Sequence, residues 1–348
     1  MARRPEASSG SKVFGVSSVR AVIVTYADPA AARRAVESLR TQEDPPAEIV
    51  VVDNAPEGSL DDGVTGATVL APGANLGYTG GANLGARGAR TSWLLFMNPD
   101  ALAEPGCVAA LLSAAASVDG AGIVGAQVLL PDGRVNAGDN PLHVTGISWS
   151  GRFGEPAEDG APREVAVVSG AALMVSRALW ERLDGLSEPF FLYQDDTDLC
   201  WRARLAGARV VFAPRARVVH DYEFEKGSRK WFFLERNRAW TVLVGYSGRS
   251  LFLFAPLLLA AEVVVALRAA GEGWLGEKVR AWWAVLRSGR AVVRRRREVQ
   301  GTRVVSDREL LGLATGRFDS ALAPSGAARA VGPLMEGYRR VVLRLLPR

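Results

Sequence analysis

Glu48-Ile49-Val50-Val51-Val52-Asp53-Asn54 is a short apolar run closed by two small polar residues and then by the turn-rich Pro56-Glu57-Gly58-Ser59. Its length and β-branched character predict a buried strand. Upstream, Val19–Thr25 has the same character. Between the two, Asp28-Pro29 opens a helix with Ala31, Ala35, Val36 and Leu39 on its inner face. Downstream, Thr68–Leu70 reads as a short strand, Gly80–Arg90 as a helix, Trp93–Met97 as a strand and Gly106–Val118 as a helix. Ile123–Leu130 is a further strand, ending in the turn Pro131-Asp132-Gly133. Strands alternating with helices predict an α/β chain with a mostly parallel sheet flanked by helices. From Asn136 to Pro162, Gly, Ser, Asn and Pro dominate without periodicity, which predicts a long active-site loop. Glu164–Val175 is apolar except for Ser169-Gly170, and Arg209–Ala213 is a late strand before Pro214. Helical patterns dominate from Lys230, predicting a C-terminal helical extension.

A chain of 348 residues can bury a full core. Its two cysteines, Cys107 and Cys200, give neither a disulfide framework nor zinc spacing and fit a reducing compartment. The first residues are polar and small with no apolar stretch, so 1–17 are expected to be a disordered leader rather than a secretory signal. The net charge of +5 is unevenly placed: residues 1–248 carry 24 Lys/Arg against 29 Asp/Glu, and residues 249–348 carry 18 against 8. A basic tail on an acidic body calls for an anionic partner. No zinc, aromatic RNA-binding or basic-zipper pattern supports nucleic acid. The tail is also strongly apolar, so an anionic membrane surface is expected instead.

In open α/β sheets, ligands sit beyond the carboxyl ends of the strands. Here those ends carry Asp53-Asn54 and Asn98-Pro99-Asp100, with Asn75-Leu76-Gly77-Tyr78-Thr79-Gly80-Gly81-Ala82-Asn83 between them. The densest charge lies in Phe190-Phe191-Leu192-Tyr193-Gln194-Asp195-Asp196-Thr197-Asp198-Leu199-Cys200-Trp201-Arg202, with three carboxylates within four residues. Asp195 and Asp198 have the spacing of a helix cap and its third residue, but capping leaves Asp196 unexplained. Like charges so clustered point to a site. His220, with Asp221 beside it, ends the run Val210–Val219. One imidazole with one or two carboxylates and open positions suits Mn2+ or Mg2+ carrying a diphosphate. His143 has no such company.

The order of these motifs, with Ser169-Gly170-Ala171 between Asn98-Pro99-Asp100 and Phe190–Arg202, resembles the inverting GT-A glycosyltransferases of family 2, nearest the rhamnosyltransferase and galactofuranosyltransferase branch. The likeness spans roughly residues 18–245. It implies transfer of a sugar from a nucleotide-diphosphate sugar (dTDP-rhamnose or a UDP-sugar) to a hydroxyl of a glycan or lipid-linked acceptor in cell-surface polysaccharide synthesis. By this resemblance Asp196 is the base, with Asp195 beside it as the alternative. Asp100 and His220 hold the metal, Asn98 replacing the first Asp of the family's metal motif. Asp53 reads the nucleoside. Thr25, Asn54, Asn75, Gly77, Tyr78, Asn83 and Asn98 line the donor side, with Arg236 and Asn237 closing over the diphosphate. Ser169, Gly170, Tyr193 and Asp198 face the acceptor.

Two rival classes are a nucleotidyltransferase, which should show a Gly-rich basic motif where Thr25-Tyr26-Ala27-Asp28 stands, and a glycosidase, which needs no nucleotide site. A non-catalytic sugar- or nucleotide-binding protein is the third. In the tail, Leu251–Leu267 approaches a membrane-spanning length but is interrupted by Pro256 and Glu262. Trp274, Trp282, Trp283 and Arg294–Arg297 follow. The pattern predicts a segment lying in or on the cytoplasmic leaflet, against the alternative of a core helix with a solvated basic face. The expected organisation is a catalytic domain over 18–245, a membrane-associating segment over 246–300 and a helical tail over 301–348. Monomer and homodimer both remain open.

Overall fold

The computed structural model describes residues 18–60, 63–220, 227–318 and 326–347. The expected leader and Asp221 lie outside them. Among the described residues twelve strands are present: β1 Val19–Thr25, β2 Glu48–Asp53, β3 Thr68–Leu70, β4 Trp93–Met97, β5 Ala101–Ala103, β6 Ala121–Leu129, β7 Val135–Ala137, β8 Asp139–Asn140, β9 Arg163–Glu164, β10 Val167–Val168, β11 Ala172–Ser176 and β12 Arg209–His220. The helices of the first half are α1 Pro29–Arg40, α2 Gly77–Ala86, α3 Cys107–Ser117, α4 Arg177–Leu183 and α5 Asp195–Leu205. Those of the second are α6 Arg229–Gly245, α7 Gly248–Gly271, α8 Leu275–Arg287, α9 Gly289–Gly301, α10 Asp307–Gly312 and α11 Gly326–Leu345.

The main sheet runs β3-β2-β1-β4-β11-β6-β12-β5. β1 to β4 pair in parallel, as the βαβ pattern requires, and β12 runs parallel to β6. β11 enters antiparallel between β4 and β6, so the sheet is mixed. One face packs Ala32, Ala35, Val36 and Leu39 of α1 and Val108 and Leu111 of α3 on Ile23, Val51 and Leu95. The other buries Leu199, Trp201 and Leu205 of α5 with Trp240 of α6 and Trp180 of α4. α1 starts as its sequence requires: Asp28 Oδ1 accepts the Ala31 N–H at 2.9 Å, and Pro29 stands where no donor is needed.

Three elements differ from expectation. α2 begins at Gly77, three residues early, because Asn75 Oδ1 accepts the Gly77 N–H at 2.9 Å and Gly77 takes φ +69°. β12 continues through Pro214 to His220, and a register shift between Ala213 and Arg217 absorbs the missing donor. The region expected to be an irregular loop forms β7, which pairs with β6, and β8, which pairs with β10. Arg163 bonds to Asp139 at 2.6 Å and Glu158 at 2.7 Å, drawing both ends of that region together.

The C-terminal helices are fastened to the sheet domain through α6. Gln300 Nε2 donates to the Val244 carbonyl at 2.7 Å and Arg303 Nη2 to the Gly245 carbonyl at 2.7 Å, while Arg296 reaches the Leu243 and Tyr246 carbonyls. These donors satisfy carbonyls that the end of α6 leaves open. Arg296, part of the basic run, is therefore turned inward.

Candidate active site

The loop that leads into the acidic pair is built by strain and by bracing. Phe191, Tyr193 and Gln194 take φ values of +64°, +65° and +64°, costing roughly 1–3 kcal/mol each for non-glycine residues. Asn237 on α6 offsets that cost: its Nδ2 donates to the carbonyls of Phe190, Leu192 and Tyr193 at 3.0, 2.8 and 2.9 Å. Arg236 Nη2 donates to the Pro189 and Phe190 carbonyls at 2.6 and 2.8 Å. The Tyr78 N–H reaches the Phe191 carbonyl at 2.7 Å, and a Cβ on Gly77 would run into the Phe191 ring. Arg236 and Asn237, expected to close over the diphosphate, spend these donors on the loop.

The braced loop delivers Asp195 and Asp196 to the first turn of α5, where the helix dipole favours negative charge. Asp196 Oδ2 accepts the Gly170 N–H at 3.0 Å, and its Oδ1 accepts the Thr197 N–H at 2.6 Å and Oγ1–H at 3.2 Å. Burial raises the Asp196 pKa while these donors work to lower it. For Asp195, burial first and then the charges of Asp196 and Asp198 push the carboxyl up to about 8. The Tyr78 hydroxyl is pushed up by burial and by both carboxylates. Asp198 turns the other way: its Oδ2 accepts from Ser187 Oγ at 3.1 Å and from the buried Arg202 Nε at 2.7 Å. Asp198, expected on the acceptor side, is not among the residues that line the cleft.

The facing group comes from strand ends. β12 pairs with β5 so that His220 stands opposite Ala101, which carries His220 Nε2 to 3.0 Å from Asp100 Oδ1. Asn98 Nδ2 lies 3.5 Å from the same imidazole nitrogen. The Asn98 N–H donates to the Ala171 carbonyl, one residue from the Gly170 that holds Asp196. That strand end therefore ties the two groups together. Two donor atoms about 3.0 Å apart match adjacent positions on an octahedral ion with bonds of about 2.1 Å. Among the described residues no group of three or more His, Cys, Asp or Glu gathers to hold a metal. A cation here would draw its remaining ligands from substrate and water.

Tyr78, Asn98, Ser169, Gly170, Tyr193, Asp195, Asp196 and His220 line one cleft of about 600 Å3. The other expected residues lie around it. Thr25 pairs with Asp53 across β1 and β2, and Thr25 Oγ1 donates to the Asp28 carbonyl at 3.1 Å. Asp53 is buried, and its carboxylate accepts from Ala55, Ser59 and Leu60 in the turn that follows it. Asn54 Nδ2 donates to the Gly77 carbonyl at 2.8 Å, while its buried Oδ1 has no partner among the described residues. Asn83 bonds both ways with the Leu186 backbone, at 2.9 and 3.0 Å, bracing the approach to residues 190–194 rather than lining the cleft. The sequence reading missed Asn136, Asn140, Trp149 and Lys230 on the cleft wall. Trp149 was the available signal, an aromatic residue flanked by Ser148 and Ser150 in a polar stretch. His143 is buried, stacked 4.0 Å from Phe318, and burial pushes it down to about 4.

Residues 21–183 match the family model described as glycosyl transferase family 2. This segment is a family 2 glycosyltransferase domain. The match ends before residues 190–194, so the acidic pair and His220 lie beyond it. The N-acetylglucosaminyl-diphospho-decaprenol L-rhamnosyltransferase of Mycobacterium tuberculosis is 29% identical over 238 residues, covering 59% of this chain and 76% of the relative. The low-salt glycan biosynthesis hexosyltransferase Agl10 of Haloferax volcanii is 27% identical over 191 residues, covering 51% and 62%. Among solved structures, GalNAc-T7 with UDP, GalNAc and Mn2+ superposes with TM-score 0.55 at 15% identity, covering 66% of this chain and 48% of that one. TarS 1-349 of S. aureus in complex with UDP gives 0.51 at 14% identity, covering 94% and 88%. These two establish that the glycosyltransferase has the GT-A fold. The nucleotidyltransferase, glycosidase and non-catalytic readings give way.

Proposed function

We propose that the enzyme transfers a sugar, with inversion, from a nucleotide-diphosphate sugar to a hydroxyl of a lipid-linked glycan in cell-surface polysaccharide synthesis. The donor would be dTDP-rhamnose or a UDP-sugar. The observation that carries this reading is the Asp195–Asp196 pair on the cleft that Asn98 and His220 also line. A base must be ionised before it acts. The three donors on Asp196 favour its charged form, while Asp195, pushed up to about 8, keeps a proton near neutrality. The pair then carries one charge, and Asp196 takes the acceptor proton as the new bond forms. Burial makes it a stronger base than a carboxylate in water. Asp100 and His220 would hold Mn2+ or Mg2+, which when bound offsets the charge developing on the leaving diphosphate. The relative's decaprenol-linked acceptor supports a lipid-linked substrate here too.

The tail supports a site at the cytoplasmic face of a membrane. α7 is long and apolar enough to cross a bilayer, yet only 11% of its most apolar 18-residue window is buried. Glu262, the charge that interrupts it, pairs with Arg238 and with Lys278 at 2.6 Å. The outward face of α7 and α8 exposes Phe252, Trp283 and Leu286. A helix with one face tied to the catalytic domain and one left apolar lies on a bilayer rather than through it. The decisive assay is a panel of nucleotide sugars with a lipid-linked N-acetylglucosamine acceptor, scored by nucleotide diphosphate release and by the anomeric configuration of the product. Retention of configuration would refute the single-displacement reading.

A further inference from the structure

Beside the cleft lies a second concavity of different character. Between α7 and α8 runs a groove of about 390 Å3 lined by Leu259, Val263, Leu267, Leu275 and Trp282, with Glu262 among them. The Glu262 carboxylate is already engaged by Arg238, Lys278 and the Trp282 Nε1–H. Leu259 and Leu267 are 67% and 68% exposed. An apolar concavity left this open marks an interaction site.

One aromatic stack links the cleft wall to the groove. Trp231, on the cleft wall, stacks on Trp274 with ring centroids 4.5 Å apart and planes 12° apart. Leu275, the next residue in the chain, lines the groove. Lys230 also lines the cleft, its ammonium 5.2 Å from the Trp231 ring. Moving outward from the acidic pair come a cation, the half-buried Trp231 backed by the buried Trp274, and then hydrocarbon. That succession fits a molecule with a sugar at one end, a diphosphate next and a long apolar chain behind. Resting on the lipid-linked acceptor reading above, we propose that the groove takes the polyisoprenyl chain of the acceptor while Lys230 meets its diphosphate. Continuity with the cleft is what favours this chain over the acyl chains of the bilayer, since only the acceptor joins a hydrocarbon to the reacting sugar.

Burying hydrocarbon should give about fourfold in affinity for each CH2 removed from water, so chain length is the readout. Geranylgeranyl diphosphate and dimethylallyl diphosphate are titrated into the full-length protein by tryptophan fluorescence, without membranes and below micelle-forming concentrations. The long chain should bind at least tenfold more tightly. Val263→Asp and Leu267→Asp, both at exposed positions, should each abolish that preference while leaving nucleotide diphosphate binding unchanged. Equal binding of the two probes overturns the proposal. So does a preference that survives both substitutions while flotation on anionic vesicles is lost, which would assign the groove to bilayer lipid. Loss of a concentration-dependent dimer by the same variants, with no chain-length preference, would assign it to a second copy and equally overturn the proposal. A chain-length preference without sugar transfer from any donor would instead fault the acceptor reading and leave the groove in place.

Discussion

Asp195 and Asp196 are neighbours with different environments, and that difference makes each testable. Asp196→Asn keeps size but removes the proton acceptor, so transfer should fall by roughly a hundredfold or more. Donor binding, followed by calorimetry, should stay near normal. Asp195 has a raised folded-state pKa, from 3.8 to about 8. Its contribution to stability is therefore full below pH 3.8 and is lost as pH rises through about 8. Asp195→Asn should raise the melting temperature by several degrees at pH 8–9 and leave it little changed at pH 4. A variant less stable than the parent at pH 9 would refute that environment. Across the cleft, Asp100→Ala and His220→Ala should each weaken Mn2+-dependent binding of nucleotide diphosphate. Undiminished binding and transfer in excess chelator would end the metal role. These four residues were legible as strand-end and helix-start positions. Asp198, Asn83, Arg236 and Asn237 were legible as positions too, but not as partners. The groups that Asp198, Asn237 and Asn83 meet include ones 11, 47 and 103 residues away in the chain.

At the scale of elements, the loop before the acidic pair is inseparable from α6. Asn237 Nδ2 holds three carbonyls of a loop with three non-glycine residues at positive φ. Asn237→Ala forfeits those bonds, each contributing about 1 kcal/mol. It should lower both the melting temperature and turnover, the latter by about tenfold or more through displacement of Asp196. Asn237→Asp should be no better, because it sets a carboxylate oxygen against those carbonyls. Parent-like turnover in both variants would show that the loop holds its form without α6. The same non-locality explains what the sequence concealed in the fold. Ala101-Leu102-Ala103 has no strand signal of its own and becomes β5 only by pairing with β12. Val135–Asn140 becomes ordered strand because β6 and β10 supply its partners. The strongly apolar β1, β2, β4 and β6 needed no such help and were legible from pattern alone.

At the scale of the whole molecule, the tail cannot be treated as a detachable anchor. Gln300 and Arg303 cap α6, Asp307 accepts the Ser247 N–H at 2.8 Å, and Glu235, Arg238, Glu262 and Lys278 form one buried network between α6, α7 and α8. Burial works to raise the Glu262 carboxyl, but Arg238 and Lys278 outweigh it and hold it at about 2. Its stabilising contribution is thus present above about pH 4.5 and disappears as pH falls toward 2. A chain ending at Ser247 would lose caps and counter-ions together, so membrane binding is better tested in the full chain. Phe252→Asp and Leu286→Asp alter side chains that are 78% and 71% exposed, away from that network. Each should leave the melting temperature within a degree or two of the parent, as exposed substitutions do. Each should nonetheless reduce flotation with anionic vesicles, because an aspartate on the apolar face loses both hydrocarbon burial and attraction to the surface. High salt should weaken binding of the parent protein by screening its arginines without abolishing it, since the apolar contribution is not screened. A parent protein that stays at the bottom of the gradient at low salt would rule out membrane docking and leave the exposed face of α7 and α8 to a protein partner.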